Sequence, residues 1–262
     1  MILDDIIKYR RIQLEKEKQR CSEEEMKKRA VGQLLDRTPL SLAAALKKDT
    51  LSCICEVKKA SPSKGLIKAD FHPVKLAAEY EKAGADAISC LTEEHYFQGS
   101  TEYLAEIRKT VKIPILRKDF IFDEYQIYEA AAVGADAVLL IAAVLDTADF
   151  DRLYSLASSL GLSVLGEMHT AEEMQKYAYG HEGMVIGVNN RDLKTFDVDL
   201  ATAAKLRPFA PDGAVFVSES GITTNSDMRT VRQNGADAVL IGETLMRAGS
   251  ITEKLRELRD GI

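Results

Sequence analysis

The chain of 262 residues is 46% hydrophobic and 29% charged, with a formal net charge of −6 and a pI near 5.4. That is the length of one α/β barrel, about 250 residues, and the composition of a soluble globular domain. The acidic balance argues against nucleic-acid or anionic-lipid partners, and no apolar run approaches the ~20 residues of a membrane span.

Residues 1–48 read as an N-terminal helical extension. Ile6–Leu35 mixes charges of both signs with sparse apolar positions such as Ile12, Leu14, Met26 and Leu34. This is neither a signal nor a transit peptide, and the segment is expected to pack over one mouth or flank of the domain formed by the remaining residues. From residue 49 the pattern changes. Short apolar runs at Ser52–Val57, Ala87–Leu91, Ile113–Leu116, Ala137–Ile141, Ser163–Leu165, Met184–Val188, Ala214–Val217 and Ala238–Ile241 alternate with amphipathic stretches of helix length. Continuous apolar strands separated by helices predict a parallel sheet covered by helices. Gly84-Ala85-Asp86-Ala87, Gly134-Ala135-Asp136-Ala137 and Gly235-Ala236-Asp237-Ala238 each close a helical stretch with a glycine and lead into a strand. Their spacings, about 50 and about 100 residues, fit two and four βα units of roughly 25 residues. The expected fold is α/β: a (β/α)8 TIM barrel over 49–262 carrying the helical extension 1–48. No GxGxxG follows the first strand, which lowers the dinucleotide-binding alternative.

Cys21, Cys53, Cys55 and Cys90 form no CxxC pair, and three lie in or beside strands; they read as reduced core thiols of a cytoplasmic protein. His72, His95, His169 and His181 take no metal-ligand spacing, so no metal is expected.

In a barrel of this kind reactive groups come from the C-terminal ends of the strands. The first strand runs into Glu56-Val57-Lys58, and alternation puts Glu56 and Lys58 on one face. The third ends at Lys118-Asp119-Phe120, the fifth at Glu167, the sixth at Asn189 with Arg191 following, and the seventh at Glu219-Ser220. Any one of these could be a structural ion pair at the barrel mouth; their recurrence at the same end of five strands favours a site. Ser220-Gly221-Ile222-Thr223 and Gly242-Glu243-Thr244 follow the last two strands, where barrels bind phosphate through backbone N–H groups. Glu243 fits such a loop least. A carboxylate only accepts hydrogen bonds, so its side chain is expected to turn to solvent or to a basic neighbour. The N–H groups of Gly242 and Glu243 would then still face the anion.

These residues resemble the indole-3-glycerol-phosphate synthase family of tryptophan biosynthesis. The resemblance is carried by Glu56-Val-Lys-Lys-Ala-Ser-Pro-Ser-Lys-Gly65, Leu91-Thr-Glu with Tyr96-Phe97, Leu116-Arg-Lys-Asp-Phe120, Leu165-Gly-Glu-Met168, Ile186-Gly-Val-Asn-Asn-Arg-Asp-Leu193, Val217-Ser-Glu-Ser-Gly-Ile222 and Leu240-Ile-Gly-Glu-Thr-Leu-Met246. It spans all eight strands. It implies closure of a pyrrole ring on an anthranilate-derived ribulose phosphate, with loss of carbon dioxide and water. By position it implies a catalytic set of Glu56, Lys58, Lys118, Glu167, Asn189 and Ser220. Lys118 would protonate the ketone oxygen, and Glu167 would move a proton as the hydroxyl leaves. Glu56 and Asn189 would orient or relay, and Lys58 would hold the substrate's anionic end and support proton transfer. The division of acid and base work among Lys58, Lys118, Glu56 and Glu167 stays open. Ser61, Phe97, Phe120, Arg191, Leu193 and Glu219 would contact the substrate, with Gly221, Gly242 and Glu243 at its phosphate. The ring's own iminium-like intermediate accepts the electrons of decarboxylation, so the resemblance implies no cofactor. A small phosphorylated molecule is the expected partner, without nucleic acid, membrane or an obligate protein.

Two rivals remain at this level. A phosphate-binding barrel such as phosphoribosylanthranilate isomerase would rely on a Cys/Asp pair, but Cys53 and Cys55 precede the end of their strand. A barrel that binds a sugar phosphate without turnover is the other.

Overall fold

The computed structural model describes residues 2–192 and 195–262. Eight strands close into one barrel, every neighbouring pair parallel. They are β1 (Ser52–Val57), β2 (Ala87–Leu91), β3 (Ile115–Lys118), β4 (Ala137–Ile141), β5 (Ser163–Met168), β6 (Val185–Asn189), β7 (Phe216–Glu219) and β8 (Ala238–Ile241). Closure pairs β1 with β8, Ser52 opposite Ala238 and Cys55 opposite Ile241. Ile54, Leu116, Leu139, Leu165, Val185 and Leu240 fill the interior, while Cys53, Cys55, Ile88 and Cys90 face the surrounding helices. All four thiols are free, and burial pushes Cys53 and Cys90 up to about 12.

Four strands run further than the apolar runs suggested. β3, β6 and β7 begin later and end later than expected, and β5 continues past Leu165 to Met168. The cause is the same in each. Apolar patterning stops at the last hydrophobic residue, but the ladder continues through the polar one. Lys118 pairs with Leu91, Glu167 with Ile141, and Glu219 with Asn189. At β3 the late start has a second reason, because Pro114 has no N–H to give the ladder. The charged residues are therefore held by strands, not by loops.

Gly84, Gly134 and Gly235 adopt φ of 93°, 83° and 86°, the left-handed turn expected at the end of each preceding helix. The aspartates of these repeats have a role the spacing did not reveal. Asp86 accepts the Cys53 N–H, Asp136 the Ile115 N–H and Asp237 the Phe216 N–H, each at 2.8 Å. Each thus pins its own βα unit to the start of the preceding strand.

Three helices precede β1: α1 (Ile2–Arg20), α2 (Glu23–Asp36) and α3 (Leu42–Leu46). α3 plugs the N-terminal end of the barrel. Leu42 and Leu46 join the interior cluster, Ser52 Oγ donates to Leu46 O (3.0 Å), and Leu42 N donates to Ser163 Oγ (3.0 Å). α1 crosses the opposite end, burying Ile6, Arg10, Gln13 and Leu14 at helical spacing. A short hairpin (Ala60–Ser61 with Gly65–Leu66) stands beyond β1. Among the described residues no helix is long and apolar enough to cross a membrane.

Candidate active site

A cavity of about 780 Å³ opens at the C-terminal end of the strands. All the sequence-derived site residues line it except Leu193, which lies outside the described residues. Lys118 is the centre of the charge. Its Nζ donates to Glu167 Oε2 at 3.1 Å and stands 3.4 Å from Glu219 Oε2. Burial works against the ammonium, but Glu167, Glu219 and Glu56 outweigh it and hold the pKa above the usual lysine value. Lys118 is therefore a cation throughout the physiological range.

The two carboxylates that share it differ. Burial would raise Glu167, yet Lys118, His169 and an Asn189 Nδ2 bond to Oε1 (3.1 Å) bring it well below the carboxylate range. Glu219 is pushed up to about 7 by burial and by the nearby Glu167 and Glu56, with Lys118 only partly compensating. Its Oε1 is buried and without a hydrogen bond. Space for Glu219 comes from Gly187, because a Cβ there would strike Glu219 Oε1 and come within 2.6 Å of Leu165. Pairs of acids pushed apart in this way are how one pocket offers an acid and a base together.

Glu56 is buried and ion-paired with Lys58, on one face of β1 as alternation required. A side chain at Gly242 would collide with Glu56 Oε2, so the glycine also makes room for this pair. Asn189 Oδ1 accepts the Arg191 N–H (3.1 Å), and Arg191 Nη1 donates to Phe196 O (3.1 Å), which folds the chain after β6 beside the mouth. Phe97 and Phe120 form a tilted aromatic pair with centroids 6.1 Å apart. Ser61 enters from the hairpin.

At the opposite rim Ser220 and Gly221 are both left-handed, with φ of 66° and 88°. A Cβ at Gly221 would lie 2.6 Å from Val198 Cγ1, and Thr244 Oγ1 donates to Ile222 O at 2.5 Å, tying the last two loops together. Gly242 precedes the short helix Glu243–Met246, whose first N–H groups have no intrahelical acceptor. Glu243 Oε1 accepts Arg247 Nε at 3.0 Å, so the carboxylate turns to a basic neighbour.

Sequence reasoning missed several supporting residues. Asp119 stands at the edge of the cavity, buried against Arg10, Arg117 and Thr92, with contacts of 3.2, 3.0 and 2.9 Å. Burial would raise it, but the two guanidiniums hold it below the usual aspartate value. The available signal was Arg10 on the same helical stripe as Ile6 and Leu14, a charge where a core residue belongs. Ile2, Leu3 and Ile6 of α1 line the cavity, so the extension supplies one of its walls. Buried Glu93 gathers the N–H groups of His95, Tyr96 and Phe97 at 2.7–3.0 Å and so fixes the Phe97 turn. Asn190 donates to Ser218 Oγ and Ser220 O, bracing the left-handed rim; only its neighbour Asn189 had a strand-end signature.

A sequence model described as indole-3-glycerol phosphate synthase matches residues 3–258. A protein of that name from Alkaliphilus metalliredigens is 50% identical, covering 100% of this chain and 99% of its own length. One from Ruminiclostridium cellulolyticum is 49% identical, covering 99% of each. Among solved structures, thiamine phosphate pyrophosphorylase from Pyrococcus furiosus is 18% identical, with a TM-score of 0.60 over 80% of this chain and 94% of that one. The tryptophan synthase A-subunit from the same organism is 13% identical, with a TM-score of 0.59 over 81% and 98%. At that identity the two structures share the fold.

Proposed function

The chain belongs to the indole-3-glycerol phosphate synthase family, a carboxy-lyase family of tryptophan biosynthesis, and on that premise we propose how its residues divide the reaction. The substrate, 1-(2-carboxyphenylamino)-1-deoxyribulose 5-phosphate, must form a bond from the ring carbon bearing its carboxylate to the ketone carbon. Lys118 donates a proton to the ketone oxygen as that bond forms. A ketone oxygen becoming an alkoxide turns strongly basic, so even an ammonium held as a weak acid can deliver its proton as the charge develops. Carbon dioxide then leaves, and its electron pair restores the aromatic ring through the iminium. Loss of water completes the indole. In that step protonated Glu219 gives the departing hydroxyl the proton with which it leaves as water, and Glu167, kept as a carboxylate, accepts the methylene proton. Lys58, neutralised in part by Glu56, meets the substrate's carboxylate.

Phe97 and Phe120 offer an aromatic wall for the anthranilate ring, with Ser61 and Arg191 at its edge. Leu193 belongs to this contact set by resemblance. The phosphate sits at Ser220, Gly221, Gly242 and the first turn after it, where unpaired N–H groups suit an anion. Residues 1–48 and the barrel 49–262 act as one catalytic unit, because α1 walls the cavity. The four free thiols favour a cytoplasmic setting, and the reading calls for no macromolecular partner.

The observation that carries this assignment is one buried ammonium between two carboxylates of opposite tendency at the floor of the cavity. Its test is turnover of that substrate followed by indole fluorescence, against little background because the chain has no tryptophan. Release of one carbon dioxide per indole is expected. Binding without fluorescence would mean a sugar-phosphate receptor instead.

A further inference from the structure

Lys118 stands almost midway between Glu167 and Glu219, 3.1 Å from one and 3.4 Å from the other. Nothing in that triad alone decides which acid keeps the proton. Asn189, whose Nδ2 donates to Glu167 Oε1, supplies part of the asymmetry, and the charged part comes from behind the cavity wall. His169 follows β5, does not line the cavity, and places Nε2 3.2 Å from Glu167 Oε1. Its Nδ1 lies 3.7 Å from Glu173 Oε2, in the first turn of the helix Ala171–Tyr177. Glu173 is itself fixed. Its carboxylate accepts the His169 backbone N–H at 2.6 Å, and its own N–H donates to Thr170 Oγ1 at 3.1 Å. Neither ring nitrogen is aligned for an in-line hydrogen bond, so the two carboxylates hold the ring by close charged contact at these distances. Burial opposes charging the ring, but the two carboxylates outweigh it, and His169 is raised to about 10.

A largely buried cation between two acids costs desolvation that an apolar residue of similar volume would avoid. The return lies in what it does to Glu167. That carboxylate is faced by Lys118 from β3, Asn189 from β6 and His169 from the end of β5; Glu219 of β7 and Glu56 of β1 stand beyond Lys118. Among them, His169 is a cation near Glu167 and out of contact with Glu219.

We propose that His169, braced by Glu173, is a positioning residue that keeps Glu167 ionised and in its accepting rotamer, leaving the proton of the pair to Glu219. This rests on Glu167 being the proton acceptor in the reaction. Removing the ring leaves the Asn189 bond as the remaining bias and narrows the gap between the two acids, so part of the enzyme carries acid and base exchanged. The effect falls on turnover, because neither ring nor brace touches the substrate.

The test compares His169→Leu, His169→Gln, Glu173→Gln and Glu167→Gln. Groups that orient a functional ligand from behind typically contribute about ten- to a hundred-fold. His169→Leu should lose kcat in that range with KM within about two-fold of wild type, and His169→Gln, which keeps a donor, should recover part of it. Wild-type kcat in folded His169→Leu overturns the proposal. If His169→Leu does not fold, Glu173→Gln carries the same comparison, again with kcat expected to fall and KM to hold. Histidine ring NMR gives an independent readout, since the chain has only four histidines. The His169 ring should stay protonated through pH 8 in wild type and lose its proton at least about one pH unit lower in Glu167→Gln; an unmoved titration overturns the contact. Retained turnover in Glu167→Gln instead refutes the assignment of Glu167, and the ring titration still judges the contact by itself.

Discussion

The two ends of the barrel are built from the same residue types and put them to opposite uses. At the N-terminal end the carboxylates are satisfied. Asp136 accepts the Ile115 and Leu40 N–H groups and pairs with Arg108 and Arg37, above an interior sealed by Leu42 and Leu46. At the C-terminal end Glu56, Glu167 and Glu219 crowd two lysines, and a buried oxygen of Glu219 has no partner. A satisfied charge fixes geometry, whereas a charge left short of partners has free energy to spend on a ligand or a proton. The difference teaches that burial of a charge is not what marks the site; incomplete satisfaction is.

Four substitutions test that contrast. The largest effect is expected for Lys118→Met, which keeps most of the stem and removes the proposed acid; kcat should drop at least about 10²-fold. Near-normal turnover in a folded Lys118→Met protein would remove the centre of the proposed mechanism. At the other end, Asp136→Ala strands two backbone N–H groups and takes the counter-charge from Arg108 and Arg37. Urea unfolding should show a loss of about 3 kcal/mol or more, with kcat per folded molecule unchanged. A stable but slow Asp136→Ala protein would erase the division between the ends.

The third concerns pH. Glu219 lies at about 7 in the fold against an ordinary 4.5, so it keeps its proton up to neutrality and loses it as the pH rises through 7. Protonated it can donate; ionised it only accepts and adds charge beside Glu167. Wild-type kcat/KM should therefore fall as the pH rises through about 7, and Glu219→Gln, which cannot ionise, should lack that limb. Identical profiles for the two proteins would exclude Glu219 as a donor. The smallest effect is expected at the rim. Glu243→Ser frees Arg247, another cavity-lining cation, and adds a small donor, so substrate should bind about five-fold tighter, ~1 kcal/mol. KM measured across inorganic phosphate concentrations reads this. A large loss of affinity would show that the Glu243 carboxylate itself organises the loop.

Much of the molecule is legible in the sequence because barrels impose a strong rule: apolar runs name the strands, and the polar residue after each run names the mouth. Glu56, Lys118, Glu167, Asn189 and Glu219 come from that rule without any family resemblance. The strand ends do not, since a buried Lys118 or Glu219 continues a ladder that hydrophobicity alone cannot see. Contacts between distant elements are equally hidden. Nothing local to Arg10 names Asp119, and nothing in Met168-His169-Thr170 says that the ring will meet Glu173 one turn on. Repeat spacing finds Asp86, Asp136 and Asp237 as a set but gives no hint that each holds a strand N–H. That depends on where two chain segments meet in space.

The bond from Arg10 to Asp119 spans 109 residues. α1 leaves the ribosome before any strand of the barrel, and its buried anchor does not exist until the chain has been made as far as Asp119. Loop closure over that distance carries an entropic cost that the local βα contacts do not share. During synthesis, therefore, Ile2, Leu3 and Ile6 stay without the wall they complete, and the helix settles only after three strands have been made. One wall of the chamber is thus written before the strands it will stand against.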